Sequence, residues 1–141
     1  MSESAITGRC LCGVVTYRVD APLVAADHCH CSMCRRQHGA AFATYADCAP
    51  SAFAWTSGED AVQVYEVAGG GGWAFCRNCG STLAGTDGGR ITSVTLGTVE
   101  GDPRVRAASH IFVDSKAPWF EIDDTLPQHA ARELASDGDE N

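Results

Sequence analysis

The chain lacks an excess of basic residues, a long apolar run and, in its first residues, a basic segment followed by an apolar one, and each absence argues against a class of function. Ten Lys and Arg stand against 18 Asp and Glu in 141 residues, a formal net charge of −8. Proteins that grip a phosphate backbone do so by releasing counterions with clustered Lys and Arg, so no nucleic-acid partner is expected. No stretch approaches the roughly 20 consecutive apolar residues a membrane-spanning helix needs, so no membrane partner is expected either. The opening MSESAITGRC has no basic segment leading into an apolar one, which makes the cytoplasm the expected location. Nor is there an internal repeat beyond paired cysteines. With 45% hydrophobic and 20% charged residues, the composition is that of an ordinary globular chain, and the length suits one domain.

What is present reads as short strands. Val14 to Val19, Ala41 to Asp47, Val62 to Val67, Trp73 to Cys76 and Ile91 to Thr98 are rich in β-branched or aromatic residues and are bounded by Gly, Pro, Asp or Ser. Gly69 to Gly72 reads as a connector or hairpin tip, Thr86 to Gly89 as a turn, and Gly101-Asp102-Pro103 as a break. A helical turn is expected after Cys31, because SMCRRQHG ends on a glycine suited to a left-handed cap. Thr125 and Gln128 stand at capping-box spacing with Pro127 between them, which predicts a short helix over Gln128 to Ala135. The fold class is therefore mainly β with short helical turns and a short C-terminal helix. The expected organisation is an N-terminal extension over residues 1–7, a domain over 8–135 and an acidic tail over 136–141.

The eight cysteines carry the chemistry. A disulfide framework would require a secretory context the N-terminus does not supply, whereas clustered thiols in a reducing compartment serve metals or redox chemistry. Cys76 and Cys79 form a Cys-x-x-Cys pair followed by Gly, a spacing in which a tight turn aims two thiolates at one ion. Cys10 and Cys12, also followed by Gly, supply the other two ligands of a closed four-thiolate zinc site. Such an ion would cross-link the start of the chain to its middle and constrain the unfolded state. Cys29, Cys31 and Cys34 remain as three thiolates on one segment, with a coordination position left open. An open position is the layout of catalytic zinc, and three thiolates favour a soft sulfur ligand over carbonyl hydrolysis. A thiol bound there would be presented as the nucleophilic thiolate.

Four ordered motifs, GRCLCG at Gly8 to Gly13, HCHCSMCR at His28 to Arg35, FCRNCGS at Phe75 to Ser81 and HIFVDSKAPW at His110 to Trp119, resemble the glutathione-dependent formaldehyde-activating enzymes, a family that includes the centromere protein V group. The resemblance spans roughly residues 8 to 127. It implies a β-tent fold and two zinc ions per chain, a structural one on Cys10, Cys12, Cys76 and Cys79 and a second on Cys29, Cys31 and Cys34. It also implies a carbon–sulfur lyase, similar to an S-(hydroxymethyl)glutathione synthase, acting on a small thiol such as glutathione and a small aldehyde. The alternative the same resemblance permits is a non-catalytic zinc module that binds a protein partner. Methionine sulfoxide reductase type B shares the architecture, but no cysteine follows Cys79 here to serve as its late catalytic residue.

The remaining residues are weighed against plainer roles. Arg35 and Arg36 are candidates for the carboxylates of glutathione, against ordinary solvated charge. Alternation along an extended segment puts His28 and His30 on one face and the cysteines on the other, so the histidines are expected to support the metal segment rather than ligate. Cys48 reads as a small buried residue. His110 and Trp119 are expected to pack structurally.

Overall fold

The computed structural model describes residues 5–131. Its strands are β1 (Ile6–Arg9), β2 (Thr16–Val19), β3 (Val24–Cys29), β4 (Ala43–Asp47), β5 (Phe53–Ser57), β6 (Val62–Glu66), β7 (Gly72–Cys76), β8 (Thr82–Asp87), β9 (Arg90–Thr95) and β10 (His110–Ile111), with one α-helix, α1 (Ser32–His38). The other helical pieces are single 3-10 turns, and strand outweighs helix 39% to 15%. The fold is mainly β, as the sequence predicts.

The chain divides into two compact units, one of residues up to Val24 with Tyr45–Val105, the other of Ala25–Thr44 with the chain from Arg106 onward. In the first unit β1, β2 and β5 form a three-stranded antiparallel sheet, and β4-β9-β8-β7-β6 run side by side, all antiparallel. Its core is Val15, Tyr17, Val19, Ala46, Ala74, Leu83, Ala84 and Val94, all fully buried or nearly so. In the second unit β3 lies between β10 and the first residues of β4, and β10 runs parallel to β3 with His110 opposite His28 and Ile111 opposite Cys29.

Three glycines show how sequence and pairing meet. Gly8 of β1 faces the Tyr17 ring so closely that an added Cβ would lie 2.2 Å from Tyr17 Cζ, so only a residue without a side chain lets that ring cover the strand. Gly88 and Gly89, at φ +62° and +81°, close the β8–β9 hairpin with the two positive φ values of a type I′ turn, with Asp87 opposite Arg90.

Two expectations change. The strand β1 begins at Ile6, inside the stretch read as an N-terminal extension. The helix expected over Gln128 to Ala135 is absent from its described part. Gln128 instead bridges parallel to His110, Pro127 O accepts from His110 N, and His129 N donates to His110 O. Backbone groups spent on a neighbouring strand are no longer free for an intrahelical ladder, so the tertiary partner outweighs the capping signal. Residues 132–135 of that helix and the acidic tail lie outside the described residues.

Tyr17 gives this core a pH signature. The Thr98 hydroxyl donates to Thr95 O, which leaves the Tyr17 hydroxyl to donate to Thr98 Oγ1 at 2.8 Å, and burial pushes the phenol up to about 12. An unfolded tyrosine ionises near about 10, so between those values the unfolded state binds fewer protons and stability falls as pH rises. The contribution is complete below about pH 10 and amounts to about 3 kcal/mol. Urea unfolding at pH 8 and pH 11 should show about half of that loss, about 1.4 kcal/mol, in the wild type and a smaller one in Tyr17→Phe.

Candidate metal centres

Two hairpin tips meet in the first unit. Cys10 follows β1, where its N–H donates to Val15 O and its carbonyl accepts from Gly13 N; Cys76 ends β7, where its N–H donates to Ser81 O and its carbonyl accepts from Gly80 N. Gly13 and Gly80 sit at φ +82° and +85°, the conformation that lets each chain turn back into the next strand. The tips are therefore built alike, although one pair is spaced Cys-x-Cys and the other Cys-x-x-Cys.

The tips also interlock. Leu11 N donates to Ser81 Oγ at 2.9 Å, Asn78 Nδ2 to Cys12 Sγ at 3.2 Å and Val15 N to Cys10 Sγ at 3.3 Å. Bonds of this kind stabilise sulfur as the thiolate. The Asn78 amide beside Cys12 lowers its thiol, and the Ser81 hydroxyl on Cys79 lowers that thiol to about 5. Burial pushes Cys76 the other way, up to about 11. The four sulfurs lie within 4.8 Å of one another, with Cys10 Sγ 3.6 Å from Cys12 Sγ and Cys12 Sγ 3.9 Å from Cys76 Sγ. A tetrahedral Zn²⁺ with Zn–S near about 2.3 Å requires sulfurs about 3.8 Å apart, so the four fit such an ion.

The second unit holds the triad. Cys29 ends β3, Cys31 is the N-cap of α1, and Cys34 lies in its first turn. Cys31 Sγ accepts from Cys34 N at 3.2 Å, so the sulfur does the work of a Ser or Asp cap. Gly39, at φ +64°, closes the helix by donating to Arg35 O, as the sequence predicts. The sulfurs of Cys29, Cys31 and Cys34 also lie within 4.8 Å of one another. Hydrogen bonds from the Cys29 and Cys34 thiols hold Cys31 far below the usual thiol range, and the same bonds, with burial, push Cys29 far above it. Cys31 is the half-buried member; Cys29 and Cys34 are buried. Three sulfurs with one side toward solvent suit a metal with a position left for another ligand.

Beside the triad is a cluster of rings. The His28 ring lies 4.5 Å from Phe42 and 4.9 Å from His110, and the His30 ring 5.0 Å from both. His28 and His30 thus share a face away from Cys29, as alternation predicts. His28 Nδ1 bonds Thr44 Oγ1 at 2.7 Å, His30 Nε2 bonds His110 Nδ1 at 2.8 Å, and His110 Nε2 reaches the Asp124 carboxylate at 3.0 Å. Burial lowers His28 and holds His30 down at about 4, with neighbouring His110 adding to both; the hydrogen bond from His110 lowers Asp124.

Other sequence candidates divide. Arg35 donates from Nε to Ser115 O at 3.1 Å, and Arg36 is exposed one residue on. Cys48 is buried, pushed up to about 11 by burial, and in neither sulfur cluster. His110 is buried, but Trp119 is 71% exposed, so the expectation that it packs in the core is corrected. The Lys116 ammonium donates to Ala117 O and Phe120 O, which ties the loop into a tight arch and leaves the Trp119 ring outside it. Sequence reasoning missed Ser81 and Asn78, whose place inside the FCRNCGS motif was the available signal, and Asp124, for which there was none.

These features define a mainly β protein with two groups of cysteines, one of four and one of three, that could each hold a metal ion. The sequence model of the glutathione-dependent formaldehyde-activating enzyme family matches residues 5–115, and the chain belongs to that family. A crystal structure of a Rhodobacter sphaeroides protein is similar at 28% identity and a TM-score of 0.56, over 68% of this chain and 89% of that one. No curated protein matches. Among the described residues no helix is long and apolar enough to cross a membrane.

Elemental analysis of protein purified without chelator is expected to give about two metal ions per chain. Cys76→Ser should drop this to about one and lower the urea midpoint, because the ion joins two hairpin tips. Cys31→Ser should also drop it to about one yet keep the fold, because serine caps α1 as well as cysteine does. Both occupancies should fall as pH falls, since bound thiolates must regain protons.

Proposed function

We propose that the protein is a zinc-dependent carbon–sulfur lyase that joins a glutathione-like thiol to a small aldehyde, or releases the two from their adduct, at Cys29, Cys31 and Cys34. The observation that carries this reading is the contrast between the two sulfur groups. Four sulfurs complete a tetrahedral ion and suit a structural role, whereas three leave a place for a substrate sulfur.

Zinc held by the triad would supply a position at which a substrate thiol is acidic enough to lose its proton. In the forward direction the substrate sulfur bonds to the aldehyde carbon, the carbonyl π electrons move to oxygen, and that oxygen takes the proton the thiol gave up. The product is an adduct with a hydroxyl on the carbon next to sulfur, and the reverse direction breaks the same carbon–sulfur bond. The chain's own part is to place and orient. Cys31, held as thiolate by its two neighbours, is the triad member open to solvent. Arg35, steadied by Ser115 O, and Arg36 put two positive charges on α1 in an otherwise acidic protein, which suits the carboxylates of a thiol such as glutathione.

Formaldehyde consumption in the presence of glutathione, measured above the uncatalysed rate, tests the reading. Cys31→Ser should lose at least about 100-fold in turnover with its fold retained, more than loss of a residue that merely supports a metal ligand. Arg35→Gln should raise KM about tenfold with little change in kcat, the effect of one charge-assisted contact. A fully metal-loaded protein with no activity toward thiol and aldehyde would turn the assignment to a zinc module that binds a protein partner.

A further inference from the structure

At the end of β1 and β2 away from Cys10, the first unit has a cavity of about 600 Å³, within the roughly 300–1,000 Å³ of small-molecule sites. Its apolar lining includes Ile6, Val19 and Leu23, its charged lining is Arg18, Asp20 and Arg104, and none of the cysteines reaches it. Two guanidinium groups against one carboxylate run counter to a chain with 10 Lys and Arg and 18 Asp and Glu. Asp20 orients Arg18 without using it up. Arg18 Nε donates to Asp20 Oδ1 at 2.8 Å, and the N–H groups on its two Nη atoms have no partner among the described residues. A guanidinium is a rigid plane of five donors, so fixing the inner one presets the outer pair as a fork that matches both oxygens of a carboxylate.

Arg104 carries the second observation. Its backbone is left-handed, at φ +61°, a region that glycine enters freely and that a residue with a Cβ enters at a cost. The Asp102 carboxylate holds it there by accepting from Arg104 N at 2.8 Å. A long cationic side chain is thus kept beside the cavity at a position where glycine would be the easier residue, and strain of this kind gathers at ligand sites. We propose that this cavity binds a small carboxylic acid with an apolar body. Its carboxylate meets Arg18 and Arg104, and its hydrocarbon part lies on the side of Ile6, Val19 and Leu23. The site is independent of the lyase reading above, because its lining includes no member of the sulfur triad.

Hexanoate titrated into the zinc-loaded protein, followed by methyl NMR of Ile6, Val19 and Leu23, tests the proposal. Those methyl groups should shift and saturate with a Kd below about 1 mM. Hexanol, which has the chain without the charge, and acetate, which has the charge without the chain, should each bind at least about tenfold more weakly. Arg18→Gln and Arg104→Gly should each weaken hexanoate about tenfold and leave hexanol unchanged, and Arg104→Gly should be at least as stable in urea as the wild type. Cys31→Ser should bind hexanoate as the wild type does, since a carboxylate held by a triad metal would be lost with it. Methyl groups that stay still up to about 10 mM hexanoate would overturn the site. Hexanol or acetate binding as tightly as hexanoate would overturn the ligand class. Full affinity in a folded Arg18→Gln or Arg104→Gly would remove that arginine from the site, and lost affinity in Cys31→Ser would move the carboxylate to the triad.

Discussion

Thiols gathered within 4.8 Å of one another cannot all shed their protons unless a cation shares the site, and much of the local structure follows from that constraint. At the hairpin tips the result is a division of labour. Cys12 and Cys79 are lowered by Asn78 and Ser81, while Cys76 is raised by burial. In the triad the same conflict drives Cys31 down and Cys29 up. A divalent ion held by these sulfurs would resolve both conflicts by supplying the positive charge the thiolates lack.

The two units differ in how much apolar core they have. The first has a conventional core built on Tyr17, Leu83 and three buried valines, and its four sulfurs gather where one hairpin tip meets another. In the second, the buried apolar side chains other than cysteine among the described residues are Ala26, Ala43, Ile111 and Ala117, and they share the interior with His30 and His110. So little apolar surface supplies little hydrophobic stabilisation. The histidines must hold their place through hydrogen bonds, which accounts for a buried chain that ends on the exposed Asp124 carboxylate.

Legibility tracked the range of the interaction. β2, β4, β6, β7 and β9 lie within segments whose side chains alone mark them as strands, apart from a residue at the edge. β8 was missed because its interior carries Gly85, which sits opposite Ser93 of β9 and has little strand character of its own. β3 was missed because VAAD has little strand character and Ala25 takes a positive φ of 55°. β10 is two residues long and exists through its neighbour β3. The C-terminal helix was read from a real capping pattern that lost its backbone groups to His110 and the residues after it.

The sequence by itself determined which cysteines gather into a group of four and a group of three, because a turn that brings two cysteines together is a matter of a few residues and a glycine. It also determined that His28 and His30 would turn away from Cys29, because alternation is a local property of extended backbone. Only the tertiary structure decided that Asp124, His110 and His30 form one hydrogen-bonded chain, since that takes a parallel pairing of β10 with β3 and a segment folded back toward His110. Short-range geometry is written in neighbouring residues; which distant side chains share a proton depends on how strands pair, and no single segment records it.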